Sequence, residues 1–166
     1  MRGNLTIISA ICAIFIGTFN LNAQFRSAGS YADLDDSETV RAFKEHVSTI
    51  SAAAMEGRKA GSEGERMTAE YVTEMFRKYG VDVLSGKDGD VFGIRQENGD
   101  TLTSRNVIAF IQGGDKTLRN KYIVIGARMD NLGTDTMTVD GRTVERIYYG
   151  ANGNASGLAM MLELAR

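Results

Sequence analysis

The amino-acid sequence predicts an α/β fold, a sheet with helices on both sides. Three observations carry this expectation. Stretches of helical periodicity alternate with short extended ones. Residues 122–127 (YIVIGA) form an unbroken apolar run, the pattern of a strand covered on both faces. Residues 106–111 (NVIAFI) are apolar enough to make a second inner strand.

The 166 residues suit one domain. Residues 1–23 stand apart from it. Arg2 gives a positive start, an apolar stretch runs from Leu5 to Phe19, and Ala23 offers a small residue at a cleavage point. This pattern predicts a signal peptide, because the apolar run is shorter than the ~20 residues that span a bilayer. The mature chain is therefore expected to be secreted or periplasmic, with no membrane attachment after cleavage. Cys12, the single cysteine, leaves with the leader, which suits an oxidising compartment. Residues 24–36 are small and polar, a flexible lead-in to a folded part at 37–166.

Within that part, Asp36 or Ser37 can cap a first helix, whose stripe is Val40, Phe43, Val47 and Ile50. His46 lies beside the stripe and is expected to be partly exposed. Residues 51–61 look like a helix end and a glycine-punctuated loop. Ser62 and Glu65 have capping-box spacing before a second helix. Its apolar face is read as Met67, Tyr71, Met75, Phe76 and Tyr79, and Gly80 ends it. Residues 81–84 read as a short strand and 85–90 as a loop. Segments 91–96 and 101–111 flank Asn98-Gly99, a hairpin turn signal. Residues 134–146 are polar and turn-rich, an excursion from the core. Asn154 can cap a last helix with Leu158, Met161, Leu162 and Ala165 facing inward.

Composition removes several classes of function. One histidine and one cysteine exclude a site built on two imidazoles or several thiolates from one chain. The absence of proline excludes polyproline recognition segments. A net charge of −2 with no long basic run gives no footprint for nucleic acid.

Chemistry is expected in two places. Gly126-Ala127-Arg128-Met129-Asp130-Asn131-Leu132-Gly133 follows the apolar strand, and ligands of open α/β sheets bind outside the carboxyl ends of strands. Gly150-Ala151-Asn152-Gly153-Asn154-Ala155-Ser156-Gly157 leads into the last helix, whose free N–H groups favour an anion. From spacing alone, an anion- or nucleotide-binding domain and a plain tight loop both stay open.

These same segments resemble the two-zinc aminopeptidases of metallopeptidase family twenty-eight, relatives of aminopeptidase Y and glutaminyl cyclase. NVIAFIQG is similar to the family's NVIGYIPG. KYIVIGARMDNLG is similar to the strand bearing G-A-H-x-D-x-x-G, and GANGNASGLAMMLELAR to G-A-D-D-N-A-S-G-x-A-x-x-L-E-L-A-R. With the opening helices included, the resemblance covers about residues 40–166. It implies part of a three-layer α/β/α sandwich with a mixed central sheet, and zinc-dependent peptide hydrolysis.

The departures imply that the activity is lost. The family's first histidine ligand falls at Arg128, its bridging aspartate at Gly153, and the partner of that aspartate at Asn152. Asp130, the family's support for the ligand histidine, is kept, while Asn131 stands where a further histidine is common. The general base and remaining ligands would lie beyond Arg166. No zinc is therefore expected in this chain, and Arg128 is expected to pair with Asp130. An open sheet edge would call for a homodimer or a partner chain, and a peptide ligand is possible. The alternative reading is an active metallopeptidase that shares its metal with a partner.

Overall fold

In the computed structural model, which describes residues 37–86 and 89–166, helix α1 (Glu38–Ile50) starts where the Ser37 hydroxyl accepts the Val40 N–H at 3.2 Å. The described residues belong to one compact unit, Asp35–Arg166. The expected signal peptide (1–23) and lead-in (24–36) lie outside the described residues.

A 3₁₀ turn (Ala53–Arg58) follows α1 in place of the expected loop. Glu56, Gly57 and Arg58 all take left-handed φ there (47°, 65° and 53°). Helix α2 (Glu63–Lys78) is capped by Ser62, whose hydroxyl accepts from the Glu65 N–H. The capping box is not reciprocal. The Glu65 carboxylate reaches past Ser62 to the Gly61 N–H at 2.6 Å and accepts a second bond from the Ser104 hydroxyl. At the other end Val81 N–H bonds Phe76 O and Gly80 N–H bonds Arg77 O, with Gly80 at φ 73°. That is a Schellman stop, as the glycine foretold.

Strands β1 (Asp82–Val83) and β4 (Ala109–Phe110) pair antiparallel, as do β2 (Asp90–Arg95) and β3 (Thr101–Asn106) across the expected Asn98-Gly99 turn. Strands β5 (Thr134–Val139) and β6 (Arg142–Ile147) form a third antiparallel pair. A π-type turn (Ala151–Ala155) leads into α3 (Ser156–Ala165). Helices and strands do not alternate as expected, since the six strands follow one another between α2 and α3, but the class is mixed α/β, consistent with part of a peptidase-like fold. The ladders close as three two-stranded sheets.

One apolar cluster joins the elements. Ile50 from α1, Val72 and Phe76 from α2, Val81, Ala155, and Leu158 and Leu162 from α3 are all buried together. Each large side chain contributes about 1.5–3 kcal/mol of burial free energy.

Five local expectations are corrected. Residues 122–127 join no ladder, and Ile123 and Val124 are each 92% exposed. Segment 106–111 contributes only the last residue of β3, Asn106, and the two residues of β4, with Ile108 and Ile111 exposed. In both cases apolar character marks a need for cover, which needs neighbouring strands to meet it. The buried face of α2 is Glu65, Thr68, Ala69, Val72 and Phe76, and the Met and Tyr stripe lies on its flank. Segment 134–146 does leave the core as expected, but as two paired strands, the β5–β6 hairpin, turned by Asp140 (φ 49°) and Gly141 (φ 73°).

The fifth concerns His46, which is 3% exposed. Its Nδ1 lies 2.7 Å from the Tyr71 hydroxyl and its Nε2 2.9 Å from that of Tyr79. Glu163 of α3 sits 3.4 Å from Nε2. The two tyrosines explain the burial, since each ring nitrogen has a partner. Desolvation holds the imidazole below its ordinary pKa, while Glu163 and Glu45 pull the other way. A histidine with a depressed folded value stabilises fully above its unfolded pKa of about 6.5, and that contribution fades as pH falls below it. The thermal midpoint should therefore drop between pH 7.5 and 5.5, and His46→Gln should flatten that part of the profile. Scanning calorimetry of both proteins is the check, and an equally steep profile in the variant would exclude His46 as the source.

Candidate functional site

Arg58 organises the region where the two expected site segments meet. It is fully buried. Its Nη1 donates to Ile50 O at 2.6 Å and Tyr149 O at 2.8 Å, its Nη2 to Gly150 O at 3.0 Å, and its Nε to Met129 O at 3.2 Å. One guanidinium thus ties the end of α1 to both segments. Ile50 O belongs to the negative end of the α1 dipole, which favours a cation there. Burial lowers the Arg58 pKa and the charge of Asp130 partly restores it.

The backbone continues the tie. Asn131 N–H bonds Arg58 O at 2.8 Å, and Lys59 and Asn131 form a parallel bridge. Gly133 N–H bonds Gly57 O at 2.8 Å, and Tyr148 N–H bonds Gly133 O at 2.9 Å.

Among the sequence-predicted residues, Arg128, Asp130 and Asn154 come together. Arg128 Nε and Nη2 each lie 3.3 Å from an oxygen of Asp130, so the two groups face one another in a forked pair. Asn154 Nδ2 bonds Arg128 O at 3.4 Å. Asn131 turns away, and its Nδ2 donates to Tyr148 O at 2.6 Å. Asn152 and Gly153 are exposed. A Cβ at Gly153 would meet only Asn131 Oδ1, at an ordinary contact distance of 3.8 Å, so a side chain could be accommodated there.

Asn154 does not cap α3. No side chain does, and the Ser156 N–H bonds Ala151 O from the preceding π-type turn. The expected anion seat is thereby narrowed, because that turn already takes up part of the helix start. Gly157 leaves room for a neighbouring side chain. A Cβ there would overlap the side-chain amide of Asn154.

The donor chemistry of this cluster is one carboxylate already facing a guanidinium, together with neutral amides. Among the described residues no three His, Cys, Asp or Glu side chains gather closely enough to hold a metal ion. No helix among them is long and apolar enough to cross a membrane.

Sequence reasoning missed Arg58 and the Glu65–Ser104 pair. For Arg58 the signal was weak, a charged residue between Gly57 and Gly61. For Glu65 the capping spacing was visible, but Ser104 lies 39 residues away.

The mixed α/β arrangement, with reactive side chains just after an apolar segment, is a class of scaffold that serves many hydrolases and binding proteins. A family model described as Peptidase family M28 matches residues 106–166, just over a third of the chain. The match spans both site segments and α3. No curated protein and no solved structure matches the chain.

Proposed function

We propose that this chain is an exported, peptidase-like module of the M28 kind that has lost its zinc site and binds peptide-type ligands without hydrolysing them. The observation that carries this reading is the Arg128–Asp130 pair. A guanidinium has no lone pair to give a metal and stays cationic at any physiological pH. At the position where the resembled family places a ligand histidine, it repels a divalent ion and occupies the carboxylate that would have supported that histidine. Gly153, at the family's bridging position, brings no side chain at all. Zinc hydrolases need the ion to polarise the scissile carbonyl and to produce hydroxide at neutral pH. With these residues, neither step has a metal to run on.

The exposed apolar segment 122–125 supports a further part of the reading, that a second copy or a partner chain covers it.

Calorimetric titration with zinc tests the proposal. The purified chain should show no stoichiometric binding at or below about 1 μM, a threshold near −8 kcal/mol. Tight one- or two-ion binding, or zinc-dependent release of an N-terminal residue from a short peptide, would overturn it and favour a metal site shared between chains.

A further inference from the structure

We propose that the cleft between the β2–β3 hairpin and helices α2 and α3 binds a small apolar cation of the primary-amine class. The cavity has a volume of about 640 Å³, within the range that small ligands fill. Val72, Phe92, Ile94, Ile108, Leu158 and Met161 give it an apolar lining. Glu65 and Ser104 lie in the same wall.

Glu65 is the unusual group. It is 1% exposed, and its oxygens accept from the Gly61 N–H and the Ser104 hydroxyl. Both donors are neutral. No ion pair among the described residues includes Glu65. A carboxylate can accept about four hydrogen bonds, so about two places are left. A buried carboxylate without a counter-charge is costly, and an ammonium group offers the missing charge and three donors at once.

The other charged residues lining the cleft do not compete for that role. Arg128 and Asp130 face each other, and the Arg128 side chain is 74% exposed. Arg105 lies in the field of Glu63. Glu65 is thus the lining carboxylate that no ion pair among the described residues includes, and the apolar walls suit a cation with a hydrocarbon body. Glu65 would serve an amine in this way whether or not the chain binds zinc or cleaves peptides.

Three probes of nearly equal shape decide it: phenethylamine, phenethyl alcohol and hydrocinnamate, titrated into the purified chain and followed by amide chemical shifts. The amine should bind at least about tenfold more tightly than the alcohol, the effect of a charge-assisted hydrogen bond, and should shift the Gly61 and Ser104 amides. Glu65→Gln keeps an acceptor for Gly61 and should erase the preference for the amine. Ile108→Trp narrows the cleft without touching Glu65 and should weaken the amine and the alcohol alike. Equal binding of amine and alcohol, tighter binding of the carboxylate, or amine-induced shifts that spare Gly61 and Ser104 would each overturn the proposal. Should Glu65→Gln fail to fold, the probe series on the native chain and on Ile108→Trp still separates these outcomes.

Discussion

Arg58→Met is expected to lower the stability of the folded unit by at least about 3 kcal/mol. The guanidinium donates to four backbone carbonyls in a fully buried position. Gly150 O also accepts from the Gly153 and Ala155 N–H groups, so it keeps partners when the arginine goes. The carbonyls of Ile50, Met129 and Tyr149 depend on the guanidinium. A buried acceptor left without a donor costs about 1–3 kcal/mol. The bond to Ile50 O is buried, and those to Met129 O and Tyr149 O are part-buried. Together with the lost packing of a fully buried side chain they add up to about 3 kcal/mol. Against a total stability of about 5–15 kcal/mol, that loss is close to unfolding the protein. Arg58→Lys keeps the charge but not the planar fork, so it should fall between the two. Urea unfolding followed by circular dichroism gives the values. A loss below about 1 kcal/mol for Arg58→Met would mean that water or backbone movement satisfies these carbonyls, and that Arg58 does not hold the two segments.

Gly57→Ala should cost about 2–4 kcal/mol, from overpacking together with left-handed strain. Gly57 has φ 65°, and a Cβ there would overlap Gly133 O and sit 2.8 Å from Tyr148 O. Both obstacles are backbone atoms, so no side chain can rotate away. Relief requires parting the Gly133 N–H from Gly57 O, which is where β5 and β6 are tied to the 3₁₀ turn. Gly141→Ala is the matched control. Gly141 has φ 73° but nothing within 4 Å of an added Cβ, so only the conformational cost of about 1 kcal/mol remains. The difference between the two urea midpoints isolates the packing term. Equal midpoints would show that the Gly57–Gly133 contact opens without cost.

What could be read from the sequence was local. Ser37 and Ser62 as caps, Gly80 as a stop and Asn98-Gly99 as a turn each act within a few residues, and each stands where expected. The Arg128–Asp130 pair was legible for the same reason, because opposite charges two residues apart lie within reach of one another. Asp140-Gly141 carries the same kind of signal as Asn98-Gly99, but its polar flanks hide the strands on either side. Properties that depend on distant partners could not be read. Residues 122–127 state that they need cover, and nothing in their order says whether strands will flank them. His46 looked exposed because helix position says nothing of Tyr71 and Tyr79 arriving from α2. Arg58 and Glu65 are buried only because groups from far along the chain converge on them, as Tyr149 and Ser104 do.

The β5–β6 hairpin has its own consequence. Its twelve ladder residues are exposed except Ile147, and its base is held by the backbone bonds around Gly133. It can therefore exchange its amide hydrogens, or be nicked at its tip, without the apolar cluster of α1, α2 and α3 coming apart. The Asp140-Gly141 tip is thus the natural place to splice in an affinity tag or a fluorophore. Whatever is attached there would report on the base of the hairpin, and so on Arg58, while leaving the cleft under β2 and β3 undisturbed.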